Sequence, residues 1–383
     1  MDLPTYTLHT DLLDLPEFWN QIAHNNLFLK KEFLEVLQIS KPKNMQCFYV
    51  GIFKNNSLAA VAIMQLLEVQ KLESFGDRDS CIKKKIRDFI FRNFAGTVLF
   101  IGNNLLTGQN AFASNGKLTE TEIFNTLSLA ATELKNQLLR QNKKVHLTVF
   151  KDFRSKEDLS ATTEVLPHYY SFSVQPNMLF EVKKDWTFEA DYVANLSKKY
   201  RDQYKRARKK SSTIQKKQLN LSDIKTHHKT IYKLYRNVAS NAPFNTFYLA
   251  ENHFETLKVK LGEDFLIYGY FLDNTLIGFN TLLKNGSTLE TYFLGYDSDH
   301  QKDKMLYLNM LYDMIGFAIT KKYQSIIFGR TALEIKSSVG AKPVNSFGFI
   351  LHSAKIIQPF MPKLFNILEP KTLWIQRHPY KEL

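Results

Sequence analysis

Two stretches of the chain alternate apolar and polar positions in the same way. YVGIFKNNSLAA (49–60) and IYGYFLDNTLIG (267–278) are each an apolar run broken by an Asn-containing turn, the pattern of a β-hairpin. Gly51 matches Gly269, Phe53 matches Phe271, Asn56 matches Asn274 and Leu58 matches Leu276. A second pair follows. LFIGNN (99–104) and YFLGYD (292–297) are short apolar strands that end in glycine and a polar pair. Helical spacing comes next in both halves. Ile123, Phe124, Leu127, Ala131, Leu134 and Leu138 recur at the period of an amphipathic helix, and 305–319 is apolar nearly all round, as in a helix buried on several sides. VHLTVF (145–150) and SIIFG (325–329) then read as buried strands. The order hairpin, strand, helix, strand occurs twice, and duplication explains the agreement of the whole order better than chance. The first half is spaced differently because it carries an added basic segment, CIKKKIRDFIFRNFAG (81–96).

This order predicts an α/β (α+β) chain of two similar lobes, 1–185 and 186–383, divided near KKDWTFEA (183–190). LPHYYSFSVQPNMLFEV (166–182) is expected to complete the first lobe's sheet, and FGFILHSAKII (347–357) the second's. The 383 residues are enough for two cores, and 44% hydrophobic with 13% aromatic content excludes a disordered chain. MDLPTYTLHTDLLDLPEFW at the start has neither the cationic end nor the apolar centre of a secretory signal, and no run approaches the roughly 18 apolar residues of a membrane span. Cys47 and Cys81 are too few for a disulfide framework or a cysteine-built metal site, so a cytoplasmic protein is expected. The net charge of +14 favours an anionic partner: nucleic acid, an acidic carrier protein, a phosphorylated cofactor or the inner membrane surface.

Two segments concentrate that charge. In LSKKYRDQYKRARKK (196–210), Leu196, Tyr200, Tyr204 and Ala207 form a narrow helical stripe. Lys198, Lys199, Arg201, Lys205, Arg206, Arg208, Lys209 and Lys210 cover the rest, opposed by Asp202 alone. Such a helix binds phosphates, acidic carriers or anionic lipids, the alternative being a merely solvated face. FGRTALEIKSSVGAKP (328–343) leaves a buried strand and enters a helix, with Thr331 placed to cap it. Cations at the carboxyl end of a strand in an α/β sheet stand where ligands are met, so Arg330 and Lys336, with Glu334, read as a clamp on an anionic substrate. The alternative is a local Arg330–Glu334 ion pair and a solvated Lys336. His227 and His228 are adjacent and face different ways on a helix, and no metal site is expected. The aromatic tail IIQPFMPKLFNILEPKTLW (356–374) either covers the sheet or faces a membrane.

DFLIYGYFLDNTLIGF (264–279), ETYFLGYD (290–297), the helix from about 305 and FGRTALEIKSSVGAKP together resemble the GNAT acyltransferase fold in duplicate. The chain resembles the tandem-GNAT group that contains the Fem-type peptidoglycan-bridge aminoacyltransferases, and 196–210 resembles the cationic helix that opens the second lobe in that group. The resemblance implies two GNAT-like lobes, each a mixed, mostly antiparallel sheet flanked by helices. It implies catalysis in the C-terminal lobe, with a degenerate N-terminal lobe shaping the acceptor site. The reaction implied is N-acyl transfer from a coenzyme A or acyl-carrier protein thioester to an amine on a lipid or cell-envelope precursor.

Such transfer needs a base for the ammonium, an oxyanion site and an acid for the leaving thiolate. In this fold the reacting carbonyl sits where the central strands splay. That implies Glu290 as base, Tyr296 as acid, Tyr292 in contact with substrate, and Gly295 letting the backbone approach the pantetheine arm. Alternation sets Glu290 and Tyr292 on one face and Phe293 on the other. The bland readings are a solvated strand-end carboxylate, a strand-capping tyrosine and an ordinary turn glycine. The family's Gln/Arg-x-x-Gly-x-Gly/Ala phosphate loop lacks its glycines here, and HQKDKML (300–306) offers Gln301, Lys302 and Lys304 as phosphate contacts instead. The transfer-RNA-binding helical arm of Fem enzymes has no counterpart. Aminoacyl-tRNA is therefore the alternative donor, and a non-catalytic anion- or membrane-binding module is the third reading.

Overall fold

The computed structural model describes residues 3–69, 95–153, 166–242, 245–363 and 374–381. Cys81, most of the basic segment 81–96 and residues 364–373 of the aromatic tail lie outside them. The chain divides into two compact units, neither contiguous in sequence. The first is Met1–Gln175 with Pro243–Ala250 and Asn345–Lys371; the second is Pro176–Ala242 with Glu251–Val344 and Thr372–Leu383.

The first unit holds β1 (Thr5–His9), α1 (Lys31–Ser40), β2 (Met45–Lys54), β3 (Ser57–Glu68), β4 (Thr97–Ile101), β5 (Phe112–Ser114), α2 (Glu120–Arg140) and β6 (Leu147–Phe153). Its sheet runs β1-β2-β3-β4-β6, antiparallel except for the parallel pair β4–β6. Helix α2 starts at a capping box. Thr119 Oγ1 accepts from the Glu122 amide at 3.2 Å, and Glu122 Oε2 accepts from the Thr119 amide at 2.8 Å. The helical stripe read from the sequence, Ile123 to Leu138, is buried in one cluster with Leu99, Ile101 and Phe150 of the parallel strands. Each such side chain contributes about 1.5–3 kcal/mol by leaving water.

The second unit takes the end of β7 (Tyr170–Glu181), then α3 (Glu189–Asn195), α4 (Lys198–Lys210), β8 (Gln215–Gln218), α5 (His228–Ser240), α6 (His253–Leu261), β9 (Phe265–Leu272) and β10 (Thr275–Asn285). It continues with β11 (Thr288–Thr291), β12 (Gly295–Tyr296), α7 (Ser298–Lys304), α8 (Leu306–Thr320), β13 (Ser325–Gly329) and α9 (Leu333–Ser338). The order is β8-β9-β10-β11-β13-β7, and β11–β13 is again the parallel pair. Helix α8 is buried along nearly its whole length, from Leu306 to Ile319.

The duplication extends to fine geometry. Gly51 faces Val61 and Phe53 faces Leu58 in the first hairpin; Gly269 faces Phe279 and Phe271 faces Leu276 in the second. Both registers slip beside the turn, at Ile52/Phe53 and at Leu276/Gly278. Both turns hold two residues at positive φ, Asn55–Asn56 (50° and 59°) and Asp273–Asn274 (47° and 63°). That is the type I′ geometry whose twist suits a hairpin, and Asn and Asp tolerate it best after glycine.

The closing strands differ from expectation. Phe347–His352, in β14 (Lys342–His352), pairs antiparallel with β6 of the first unit. Met178–Glu181, at the end of β7, pairs with β13 of the second unit. An apolar run announces a strand but not its neighbour, and these two pair with strands far from them in sequence. Among the described residues no helix is long and apolar enough to cross a membrane.

Candidate active site

Strands β11 and β13 are in register through Glu290 and Ile327, and the Thr291 hydroxyl donates to the Ile327 carbonyl at 2.9 Å. The partner strand β10 then meets a bulge. Leu282 faces Thr291 and Phe279 faces Gly295, so Asn280 and Thr281 oppose the three residues 292–294. Strand β13 stops at Gly329 (φ 73°), followed by Thr331 and Ala332 at 66° and 46°. Consecutive non-glycine residues in the left-handed region are uncommon and cluster at functional sites. The parallel pair thus ends in two irregular segments at its carboxyl edge.

The bulge overturns the expected alternation. The Tyr292 hydroxyl lies 3.0 Å from His253 Nε2 of α6 with the rings stacked at 5.8 Å, while Phe293 meets Tyr235 of α5 edge-on at 5.6 Å. Both rings therefore face the α5/α6 side, since an extra residue shifts the alternation by half a period. Burial lifts the Tyr292 hydroxyl well above the usual tyrosine range, so it stays protonated at neutral pH. His253, wholly buried, is the residue that sequence reasoning missed; one histidine in an amphipathic stretch carries no distinguishing signal.

Glu290 is 6% exposed, set between Leu283 of β10 and Ile327 of β13, which excludes the solvated strand end. The close approach that Gly295 permits is that of α5: a Cβ would overlap the backbone of Leu234 and Tyr235. Tyr296 is half-buried with its ring 6.2 Å from Tyr307, and burial raises its hydroxyl.

Lys336 is neither solvated nor turned away. It is 4% exposed and donates to the carbonyls of Gly329 (3.2 Å) and Arg330 (2.7 Å), at the end of β13. Burial pushes its amine down to about 7. Burial also brings the half-buried Arg330 guanidinium down to about 10, still charged at neutral pH. Glu334 pairs not with Arg330 but with Arg377, whose Nε lies at 3.0 Å. Thr331 does not cap the helix: α9 starts at Leu333 with Ala332 at the cap position and no side-chain cap bond.

The stretch expected to hold phosphate forms α7. The Asp297 carboxylate caps it by accepting from the Asp299 amide at 2.9 Å, so an anion already meets those amides. Gln301 is half-buried, Lys302 is exposed, and Lys304 donates to Thr213 Oγ1 at 3.3 Å. The chain then turns through Met305 (φ 50°) into α8, where Asn309 Nδ2 donates to Ala207 (3.0 Å) and Met305 (3.1 Å).

On α4, Lys205, Arg206 and Lys209 are exposed and Arg201 is half-buried. Arg208 turns inward. Its Nη1 lies 2.7 Å from Asp313 Oδ1 and its Nη2 2.5 Å from Glu189 Oε1, with the guanidinium over the Tyr204 ring. Burial opposes its charge, but Asp313 and Glu189 outweigh it and raise the group. Arg208 follows Tyr204 by four residues, so helical spacing already set it on the apolar stripe. The network continues to the bulge: Tyr270 donates to Asp313 at 2.9 Å and accepts from Asn280 at 3.1 Å.

No protein-family model matches the chain, and no curated protein is significantly similar to it. Solved structures are. The crystal structure of FemX superposes with a TM-score of 0.53 at 11% identity, over 88% of this chain and 94% of that one. A tandem GNAT protein from the clavulanic acid biosynthesis pathway (TM-score 0.47, 6% identity, 85% of this chain, 88% of that) and L-PGS from Bacillus licheniformis (0.47, 10%, 88% and 95%) are also similar. At such identities the likeness is one of fold. Together with the doubled hairpin, strand, helix, strand order it gives the chain a tandem GNAT fold.

Proposed function

We propose that the chain is an N-acyltransferase acting in its second unit, where β11 and β13 end. The observation that carries this is the burial of Glu290 on β11, two residues before Tyr292 with its His253 partner, together with the buried amine of Lys336 at the end of the adjacent strand. Glu290 takes a proton from the acceptor ammonium. The freed nitrogen forms the new C–N bond at the acyl carbon, the C–S bond breaks with its electron pair on sulfur, Tyr296 gives its proton to the thiolate, and the second proton shed by the nitrogen restores Tyr296. Arg330, Lys336 and Tyr292 hold the substrate. The donor is an acyl-coenzyme A or acyl-carrier protein thioester held by Gln301, Lys302 and Lys304, and the acceptor an amine on a lipid or cell-envelope precursor. Arg201, Lys205, Arg206 and Lys209 meet an acidic carrier or the anionic inner face of the membrane, as befits a cytoplasmic protein.

A second reading is favoured by Asp297, whose carboxylate takes the helix start where a phosphate would sit. There the donor is an aminoacyl ester of transfer RNA held by the same basic helix, and the bond broken is C–O. Native mass spectrometry with coenzyme A, acetyl- and long-chain acyl-coenzyme A, acyl-carrier protein and aminoacyl-tRNA tests both. Saturable thioester binding weakened by Lys302→Ala and Lys304→Ala is expected. Binding of tRNA alone transfers the proposal to the second reading, and binding of none sinks both.

A further inference from the structure

One exposed strip of the first unit is apolar at its centre and cationic at both ends. After β14 the chain enters a short helical run, in which the Ile357 amide donates to the Ala354 carbonyl at 3.0 Å and the Phe360 amide to that of Ile357 at 2.9 Å. Exposure along this run has a helical period. Lys355, Ile356, Pro359, Phe360 and Lys363 are exposed, whereas Ile357 is half-buried and Met361 only 3% exposed. The inner side is pinned. Gln358 Oε1 accepts from the His352 amide at 2.7 Å, and its Nε2 donates to the His168 carbonyl at 2.8 Å. Ile356 and Phe360, 84% and 55% exposed, are thereby held outward.

The charge around this strip has one sign. Residues 345–363 contain no acid, and neither do residues 134–151. The two stretches meet at Ser353, whose amide donates to the His146 carbonyl and whose hydroxyl donates to the Val145 carbonyl, each at 2.8 Å. Exposed Lys144 lies one residue before that contact. These features decide between occupants. Three apolar side chains offer well under the roughly 800 Å² that each partner gives a stable protein interface. A nucleic acid would meet the cations but find nothing to pair with in Ile356 and Pro359. A lipid bilayer suits both parts, because apolar side chains enter the boundary between headgroups and acyl chains while flanking lysines stay at the anionic surface.

We infer that residues 355–363 form a membrane-docking surface of the first unit, which seats Ile356, Pro359 and Phe360 in a bilayer that carries anionic headgroups. The inference goes beyond the transferase reading and the role given there to α4, because it concerns another surface and holds whatever the second unit catalyses.

The test is co-sedimentation of the full chain with vesicles of phosphatidylglycerol and phosphatidylcholine in equal parts, and with vesicles of phosphatidylcholine alone. Saturable binding to the mixed vesicles is expected, about tenfold or more tighter than to phosphatidylcholine. Ile356→Ser with Phe360→Ser leaves every charge in place and should weaken that binding about tenfold or more at an unchanged melting point, since both side chains are exposed. Lys355→Ala with Lys363→Ala should weaken it severalfold and flatten its dependence on salt. The loss caused by the serine substitutions should persist when Lys205→Ala and Lys209→Ala are added on α4. Absence of binding overturns the inference. So does binding that the serine variant keeps in full, because a chain of net charge +14 adheres to anionic vesicles by charge alone. A dimer in sedimentation equilibrium that the serine substitutions dissociate would assign the strip to a second copy of the chain and overturn it as well.

Discussion

Tyr292 and His253 share a hydrogen bond of 3.0 Å, and through it a bulged strand is tied to helix α6. His253 is wholly buried and Tyr292 half-buried, so removing the hydroxyl costs the pair a hydrogen bond that water replaces poorly. Tyr292→Phe should lower stability by about 1–2 kcal/mol, read as a shift of the urea midpoint at constant slope. A midpoint unchanged from wild type would show that the pair does not hold the bulge.

Lys336 makes stability depend on pH in a definite direction. Its folded value of about 7 lies below the ordinary 10.5. Below pH 7 both states hold the proton, and folding bears the full cost of the buried charge. Between 7 and 10.5 only the unfolded state holds it, so stability rises across that window by something on the order of 3–5 kcal/mol. Lys336→Met should remove that rise in denaturation curves at successive pH values. A variant with the wild-type slope would place the amine in water.

Glu290→Gln keeps the shape of the side chain and removes its basicity. The transfer rate should fall by about 10²–10⁴ with little change in melting temperature, once a donor is in hand. An unaltered rate constant would retire Glu290 as base.

Gly295→Ala sets a methyl group against the α5 backbone, which cannot yield as a side-chain tip can. A loss of about 2–3 kcal/mol is expected in thermal unfolding, and a melting point within a degree of wild type would contradict the packing described.

Arg208 and its neighbours on α4 should separate cleanly. Arg208→Met leaves Asp313 and Glu189 without their cation and should cost about 1–3 kcal/mol, less than a fully buried pair because the side chain keeps 28% exposure. Lys205→Ala with Lys209→Ala should leave the melting point alone but lower the salt concentration that elutes the protein from heparin. Equal melting points for all variants would mean that the Arg208 network carries no stability.

The hairpins were readable in sequence because their physics is local. A type I′ turn needs two residues that tolerate positive φ, Asn55–Asn56 and Asp273–Asn274 supply them, and alternation then sets the register. The buried face of α2 followed from period alone. What stayed hidden depends on distant partners. Phe347–His352 reads the same beside either sheet, Glu334 finds Arg377 beyond a whole strand, and a single inserted residue turns Phe293 to the side of Tyr292. The positions of Glu290, Tyr292 and Lys336 near the carboxyl ends of β11 and β13 were legible, because strand and turn signals are local. The burial of Glu290 and Lys336, and the pairing of Tyr292 with His253, were not.

The pairing of β14 with β6 bears on how a nascent chain acquires this structure. Strand β6 leaves the ribosome long before Phe347–His352 exists, and until then one of its edges has no partner. Met178–Glu181 likewise waits for β13. Folding strictly from the N-terminus is therefore denied to the first unit, and synthesis halted near residue 185 would yield an open-edged, association-prone fragment rather than a finished domain.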